Sequence, residues 1–146
     1  MNKYDASASV DKSFVYTSDV GGERWRIMKP TADGKLEGDC EDYALTVLYY
    51  VADKSLLKFW FYLITFQAVI WHCKTINGTH HAQLWFRGRW IDNIGATWSK
   101  THRHKLWFPY IFPLVAYRML TSKLPPFVAN VGLVAICSIP LVLEYI

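Results

Sequence analysis

Hydrophobic and polar positions follow different rhythms along this chain, and the changes of rhythm mark its elements. Residues 1–24 are polar, contain Ser, Asp and Gly, and hold no sustained apolar stripe, which predicts an extended arm that orders only against a partner. Residues 25–38 carry turns at Pro30 and Gly34 and read as an irregular approach. A helical rhythm then sets in. Ala44, Leu45, Val47, Leu48 and Val51 form one stripe, Asp39 suits the N-cap, and Glu41 and Asp42 suit the first turn, so a helix is expected from 39 to about 52. A second apolar segment over 56–64 predicts another helix packed on the first.

From Phe66 the residues become β-branched and aromatic, a strand that ends before Asn77-Gly78. Asn-Gly between two apolar runs is a strong hairpin signal, and the return strand covers 80–86. Gly88 permits a further tight turn, and 89–93 makes a third short strand. Helix followed by antiparallel meander is an α+β order. Asn77-Gly78-Thr79 also matches a glycosylation sequon and is read here as the turn.

After Gly95 the character shifts again. Residues 98–105 are polar and basic, whereas 106–117 are uncharged, aromatic and interrupted by Pro109 and Pro113. Residues 124–143 carry no formal charge over a bilayer's length, but Pro125, Pro126, Pro140, Asn130 and Ser138 break them. The chain therefore divides into an arm (1–24), a core unit (25–97), and a basic linker with an apolar, mainly helical tail (98–146). Lys100, Arg103, Lys105, Arg118 and Lys123 flank the apolar runs. They suit either a membrane hairpin or helices docked on other protein subunits through 106–143, and the prolines favour docking on protein.

Composition narrows the class. With 52% hydrophobic and 19% charged residues in a chain of 146, a disordered chain is excluded and a single buried core is expected. Three cysteines, without a CxxC pair, exclude a disulfide scaffold or zinc knuckle. The net charge of +4 conceals an asymmetry: residues 1–53 carry ten acidic and six basic side chains, and 54–146 carry two and ten. Those basic residues are strung between apolar runs, and only Lys100, His102, Arg103, His104 and Lys105 make a patch, which reads as a solvated loop. No nucleic-acid partner is expected. The polar start lacks the apolar stretch of a secretory signal, so synthesis in a cytoplasm with reduced thiols is expected.

The sharpest chemistry lies in Gly38-Asp39-Cys40-Glu41-Asp42-Tyr43-Ala44. A cysteine in the first turn of a helix meets the positive end of the macrodipole and unpaired N–H groups, which favour the thiolate and suit an oxyanion. Gly38 before it leaves room for a substrate backbone. His81 opens one strand and Asp92 lies on the next, where neighbouring antiparallel strands can set them side by side. Asp92 is one of two acidic residues after position 53, and a carboxylate in such apolar company needs a partner. His80 points to the opposite strand face from His81 and is not expected to share its role. His72 reads as a core or edge residue, and Cys73 and Cys137 read as packing residues. Trp85, Trp90 and Trp98 suit either the lining of an acyl cleft or the core, and the core is expected.

Gly-Asp-Cys-Glu-Asp-Tyr-Ala, a strand beginning His-Ala and a strand containing Ile-Asp-Asn together resemble the bacterial transglutaminase-like cysteine peptidases. The resemblance covers about 25–95. It implies a papain-related α+β core in which the Cys-bearing helix packs on the sheet carrying His and Asp. It further implies Cys40 as nucleophile, His81 as general base and acid, and Asp92 as the carboxylate that orients it. Asp39 and Glu41 match positions through which some members bind calcium, although N-capping explains them without an ion. The short, leaderless chain is similar to copies carried by bacteriophages, which implies a virion protein or one made in the infected cell.

These readings converge on a cysteine-dependent amide hydrolase, a peptidase whose substrate could be a peptidoglycan stem peptide. Two alternatives remain open at this point. One is a structural or interaction protein that keeps the scaffold without catalysis; the other is a membrane-associated lysis factor anchored by the tail.

Overall fold

Turn residues lay out the sheet. In the computed structural model, which describes residues 2–20 and 23–122, β3 (Ala68–Lys74) returns as β4 (His80–Phe86) through a turn in which Gly78 takes a φ of 79°. β4 returns as β5 (Arg89–Ile91) through Arg87 and Gly88, both at positive φ, as a two-residue hairpin loop requires. A further strand, β6 (Lys105–Tyr110), pairs antiparallel with β3, so the sheet order is β5-β4-β3-β6. A separate parallel pair joins β1 (Phe14–Tyr16) to β2 (Leu36–Gly38). The architecture is α+β, as the rhythm of the sequence predicted.

The helices are α1 (Lys3–Asp11), α2 (Cys40–Val51), α3 (Leu56–Ile64) and α4 (Phe112–Thr121). α2 and α3 lie where their stripes predicted them. Asp39 caps α2 by accepting the Asp42 N–H, and Ser55 caps α3 by accepting that of Lys58. α2 is central: Leu45, Val47 and Leu48 have no exposed surface. Truncating either leucine to Ala costs about 2–5 kcal/mol.

Two segments differ from expectation. The arm over 1–24 holds a packed helix and a strand. Asn2 accepts the N–H groups of Tyr4 and Asp5, while Ala6 and Val10, four residues apart, are wholly buried in the core shared with α2. The Trp98 indole N–H donates to the Lys3 carbonyl and Ser7 Oγ, fastening α1 to the segment that follows β5. The first part of the apolar tail is likewise not a helix. Residues 105–110 form an edge strand, where Pro109 is tolerated because its missing N–H falls on an unpaired side. α4 follows, with Pro at its start. The sheet of the 25–97 unit thus carries a strand from beyond it. Among the described residues no helix is long and apolar enough to cross a membrane; the uncharged run over 124–143 and Cys137 lie outside them.

Both faces of the sheet are covered. On β4, His80, Ala82, Leu84 and Phe86 share one face, and His81, Gln83 and Trp85 share the other. Ala82, Leu84 and Phe86, with Ala68, Ile70, Ile91 and Tyr110 from the other strands, join the core built on α2. On the second face, Asp92 and His104 of the segment that follows β5 lie against His81, Gln83 donates to Asp92, and Ser99 of that segment bridges back to Trp90 at the sheet edge.

Candidate active site

Cys40 is the first residue of α2 and is 8% exposed. Its place is set by its neighbours. Asp42, fully buried, accepts the Arg26 backbone N–H at 2.8 Å and Arg26 Nε at 3.0 Å, and Met28 N–H donates to Thr46 Oγ1 on the next turn of α2. A Cβ on Gly38 would stand 2.7 Å from Asp42 Cβ and 2.9 Å from Met28 Sδ. The glycine therefore makes room for Asp42 and Met28, not for a substrate backbone.

Cys40 Sγ donates to Glu41 Oε2 at 2.9 Å, and the backbone N–H of Ala82 on β4 points at the sulfur. Burial pushes the thiol well above its ordinary range; the Glu41 carboxylate, both as a charge and as the acceptor of its proton, and Asp39 add to this, with the Ala82 N–H opposing. The helix dipole predicted a thiolate. Here desolvation and two adjacent carboxylates outweigh it, and the resting sulfur is a thiol. Burial also raises the Glu41 carboxyl to about 7.

The sulfur lies on the wall of a cavity of about 680 Å³. Asp39, Glu41, Asp19 and Glu23 supply carboxylates to its lining, and Tyr16, Trp107 and Phe108 supply aromatic surface. Its histidines are His72 and His80. His72 Nε2 lies 2.8 Å from His80 Nδ1, and His72 Nδ1 lies 3.1 Å from the Tyr110 hydroxyl. His72 also stacks on Phe108, with ring centroids 4.9 Å apart. Burial, then His80, lowers the pKa of His72.

His81 and Asp92 meet as the strand register predicted, with His81 Nε2 4.0 Å from Asp92 Oδ2. Gln83, two residues along the same face, donates to Asp92 Oδ2 at 2.6 Å. Asp92 Oδ1 accepts the N–H groups of Ile94 and Gly95. Burial works to raise the Asp92 carboxyl, but Gly95, Gln83 and the two adjacent histidines together hold it below its usual value. Burial lowers His81 to about 4 in spite of Asp92, with His104 adding to the fall.

Cys40 meets β4 at Ala82, one residue from His81, yet among the described residues no hydrogen bond joins the thiol to the His81 ring. The imidazoles that line its cavity are those of His72 and His80. The strand alternation separates His80 from His81 as expected, and it puts His80, not His81, in the lining of the cavity.

Sequence reasoning missed His104. The sequence makes 100–105 a solvated basic loop, whereas the His104 side chain is 9% exposed, with Nε2 3.3 Å from Asp92 Oδ2 and its ring against His81. Arg103, exposed like the lysines, reaches back over Gly95 and donates to Thr97 Oγ1. Its neighbours in sequence disguise His104, and the bridge that brings it in lies between distant positions, Trp90 and Ser99.

For metals, His81, Asp92 and His104 form a buried group whose ligand atoms all lie within 4.8 Å of one another. Asp39 and Glu41 belong to no such group among the described residues. Asp39 is engaged as the α2 cap and Glu41 with the thiol. No protein-family model matches the chain, and no curated protein or solved structure does either.

Proposed function

We propose that this chain is a cysteine-dependent amide hydrolase acting on peptides, with Cys40 as nucleophile and His81 and Asp92 completing a transglutaminase-like triad. The observation that carries this reading is the position of Cys40: first residue of a capped helix, on the wall of the cavity, with its sulfur near the backbone N–H of Ala82, the residue next to His81. The motif that resembles the transglutaminase-like peptidases adds to it, since its Cys falls on a helix end, its His on β4 and its Asp directly after the neighbouring β5.

The chemistry begins from a neutral thiol. Substrate displaces water from the cavity; His81, which faces Asp92 and not the cavity lining, must be brought to the sulfur, where it takes the thiol proton as the sulfur attacks the amide carbonyl. The N–H groups at the start of α2 receive the oxyanion. The tetrahedral intermediate expels the amine, which leaves with the proton from His81, and a thioester remains on Cys40. Water, deprotonated by His81, resolves the thioester to a carboxylic acid and free thiol. Asp92, held by Gln83 and two backbone amides, stabilises the imidazolium in both halves. A peptidoglycan stem peptide is the substrate to test first, in keeping with a phage protein.

The test is stoichiometric acylation of Cys40 by a peptide thioester-forming probe. Labelling should be lost in Cys40→Ala and fall at least a hundredfold in His81→Ala and Asp92→Asn. Full labelling of His81→Ala would remove His81 from the mechanism. A second assignment of the base has an observation of its own: His80, relayed through His72 to Tyr110, lines the cavity with Cys40. On that reading His80→Ala, not His81→Ala, abolishes acylation.

A further inference from the structure

His81, Asp92 and His104 converge beneath the segment that follows β5 in a way that the triad does not use. One nitrogen from each histidine and one Asp92 oxygen lie within 4.8 Å of one another, all buried. His81 Nε2 and both nitrogens of His104 have no hydrogen-bond partner, although the two side chains are 6% and 9% exposed. Buried polar nitrogens without partners are costly, and two of them facing one carboxylate is the pattern of a ligand set awaiting a cation.

Geometry agrees. A tetrahedral ion with bonds of about 2.0–2.1 Å has ligand atoms about 3.3 Å apart. His104 Nε2 is already 3.3 Å from Asp92 Oδ2, and His81 Nε2 is 4.0 Å from it, a closure of less than an ångström. Two imidazoles and one carboxylate suit zinc and its neighbours over calcium or magnesium. The surroundings supply the orienting shell such a site needs: Gln83 and the Ile94 and Gly95 amides fix the carboxylate. His104 has no part in the proposed hydrolysis.

We propose that His81, Asp92 and His104 form a divalent transition-metal site, with a fourth position left for water, and that metal bound there withdraws His81 from its role as base. The second half of this proposal rests on the triad reading, and the first half does not. Metal ligation and proton transfer both need the His81 imidazole lone pair, so the two states exclude one another. Trace zinc therefore acts as an inhibitor that competes with protonation of His81, and removal of the metal releases the enzyme.

The experiment is a titration of the full chain, thiols reduced, with Co²⁺ alone, followed by its visible absorption. The expected result is the intense spectrum of tetrahedral cobalt, unchanged in Cys40→Ala and in His80→Ala, and at least tenfold weaker in affinity in His104→Ala. Should His104→Ala fail to fold, His104→Cys keeps a ligand at that place, and a thiolate-to-cobalt charge-transfer band must appear. An octahedral spectrum, binding that persists in a folded His104→Ala, or loss of binding in His80→Ala would each overturn the site. In the second arm, Zn²⁺ should slow Cys40 acylation by the peptide probe in the wild type and leave it unchanged in His104→Ala. Metal bound with no effect on acylation would keep the site and remove His81 from the base role. Absent acylation with cobalt still bound would count against the hydrolase alone.

Discussion

Glu41 holds Cys40 as a thiol, and Glu41→Gln should release it. The perturbation is small in shape: the amide oxygen can still accept the S–H that Glu41 Oε2 accepts at 2.9 Å, and the residue stays at the start of α2. What changes is charge. At 2.9 Å, a full negative charge facing a thiolate costs about 6 kcal/mol at an effective dielectric of about 20. The charge is shared over two oxygens, and the carboxyl titrates near neutrality, at about 7, so about half of that applies. About 3 kcal/mol corresponds to about a hundredfold more thiolate at a fixed pH below the thiol pKa. A less basic thiolate is also a weaker nucleophile, with a Brønsted slope of about 0.4–0.5, which returns nearly a factor of ten. The net expectation is about a tenfold faster alkylation. The assay is iodoacetamide modification of Cys40 followed by peptide mass mapping across neutral and alkaline pH, with Cys73 as internal reference. Burial raises the Cys73 thiol to about 12, with Asp92 as the next cause, so its rate should not move. An unchanged or slower Cys40 rate would refute the argument that carboxylate charge, and not burial alone, suppresses the thiolate.

Three further outcomes follow from the packing. Gly38→Ala drives a methyl into Asp42 and Met28, and should lower stability by about 1–3 kcal/mol in urea unfolding while slowing Cys40 acylation, because Asp42 anchors the turn that carries the thiol. A normal midpoint with normal acylation would show that the neighbours yield freely. Stability should rise with pH between about 4 and 6.5, since His81 is depressed in the folded state and the unfolded chain binds its proton first; the gain is roughly 2–3 kcal/mol and should flatten in His81→Gln. A flat profile in the wild type would contradict the burial of His81. A chain ending at Thr97 loses β6 and α4, and with them Tyr110 and Val115 from the core, so it should lose cooperative unfolding by circular dichroism; a sharp transition would mean that 1–97 folds without them.

The parts of the fold that could be read in advance are those with strong local signals. α2 announces itself by its cap and a five-residue stripe, and the hairpins by Asn77-Gly78 and Gly88. α1 hides because its buried side is Ala6, Ser7 and Val10, small or polar residues that make little periodic contrast. β6 hides because an uncharged aromatic run with prolines resembles an apolar tail, and only its partner β3 reveals it as an edge strand. In the site, the pairing of His81 with Asp92 was legible from period-two alternation. Which histidines would line the thiol's cavity was not: the pattern places His80 and His81 on opposite faces without saying which face the start of α2 meets, and both faces of β4 are buried. The thiol itself was misjudged because the dipole argument weighs the helix end and omits the side chain of Glu41 folded back on the sulfur.

The fastenings at Trp98 and Ser122 bear on how the protein is made. Trp98 ties to Lys3 and Ser7, and Ser122 Oγ both accepts from the Trp25 N–H at 2.6 Å and donates to its carbonyl at 3.0 Å. Each closes a loop of more than ninety residues, so neither forms until most of the chain has left the ribosome. The wall that Trp107 and Phe108 give the cavity arrives in the same interval. During synthesis Cys40 thus sits at the end of a finished helix with an unfinished enclosure, and nascent chains should expose the thiol to alkylation until translation passes β6.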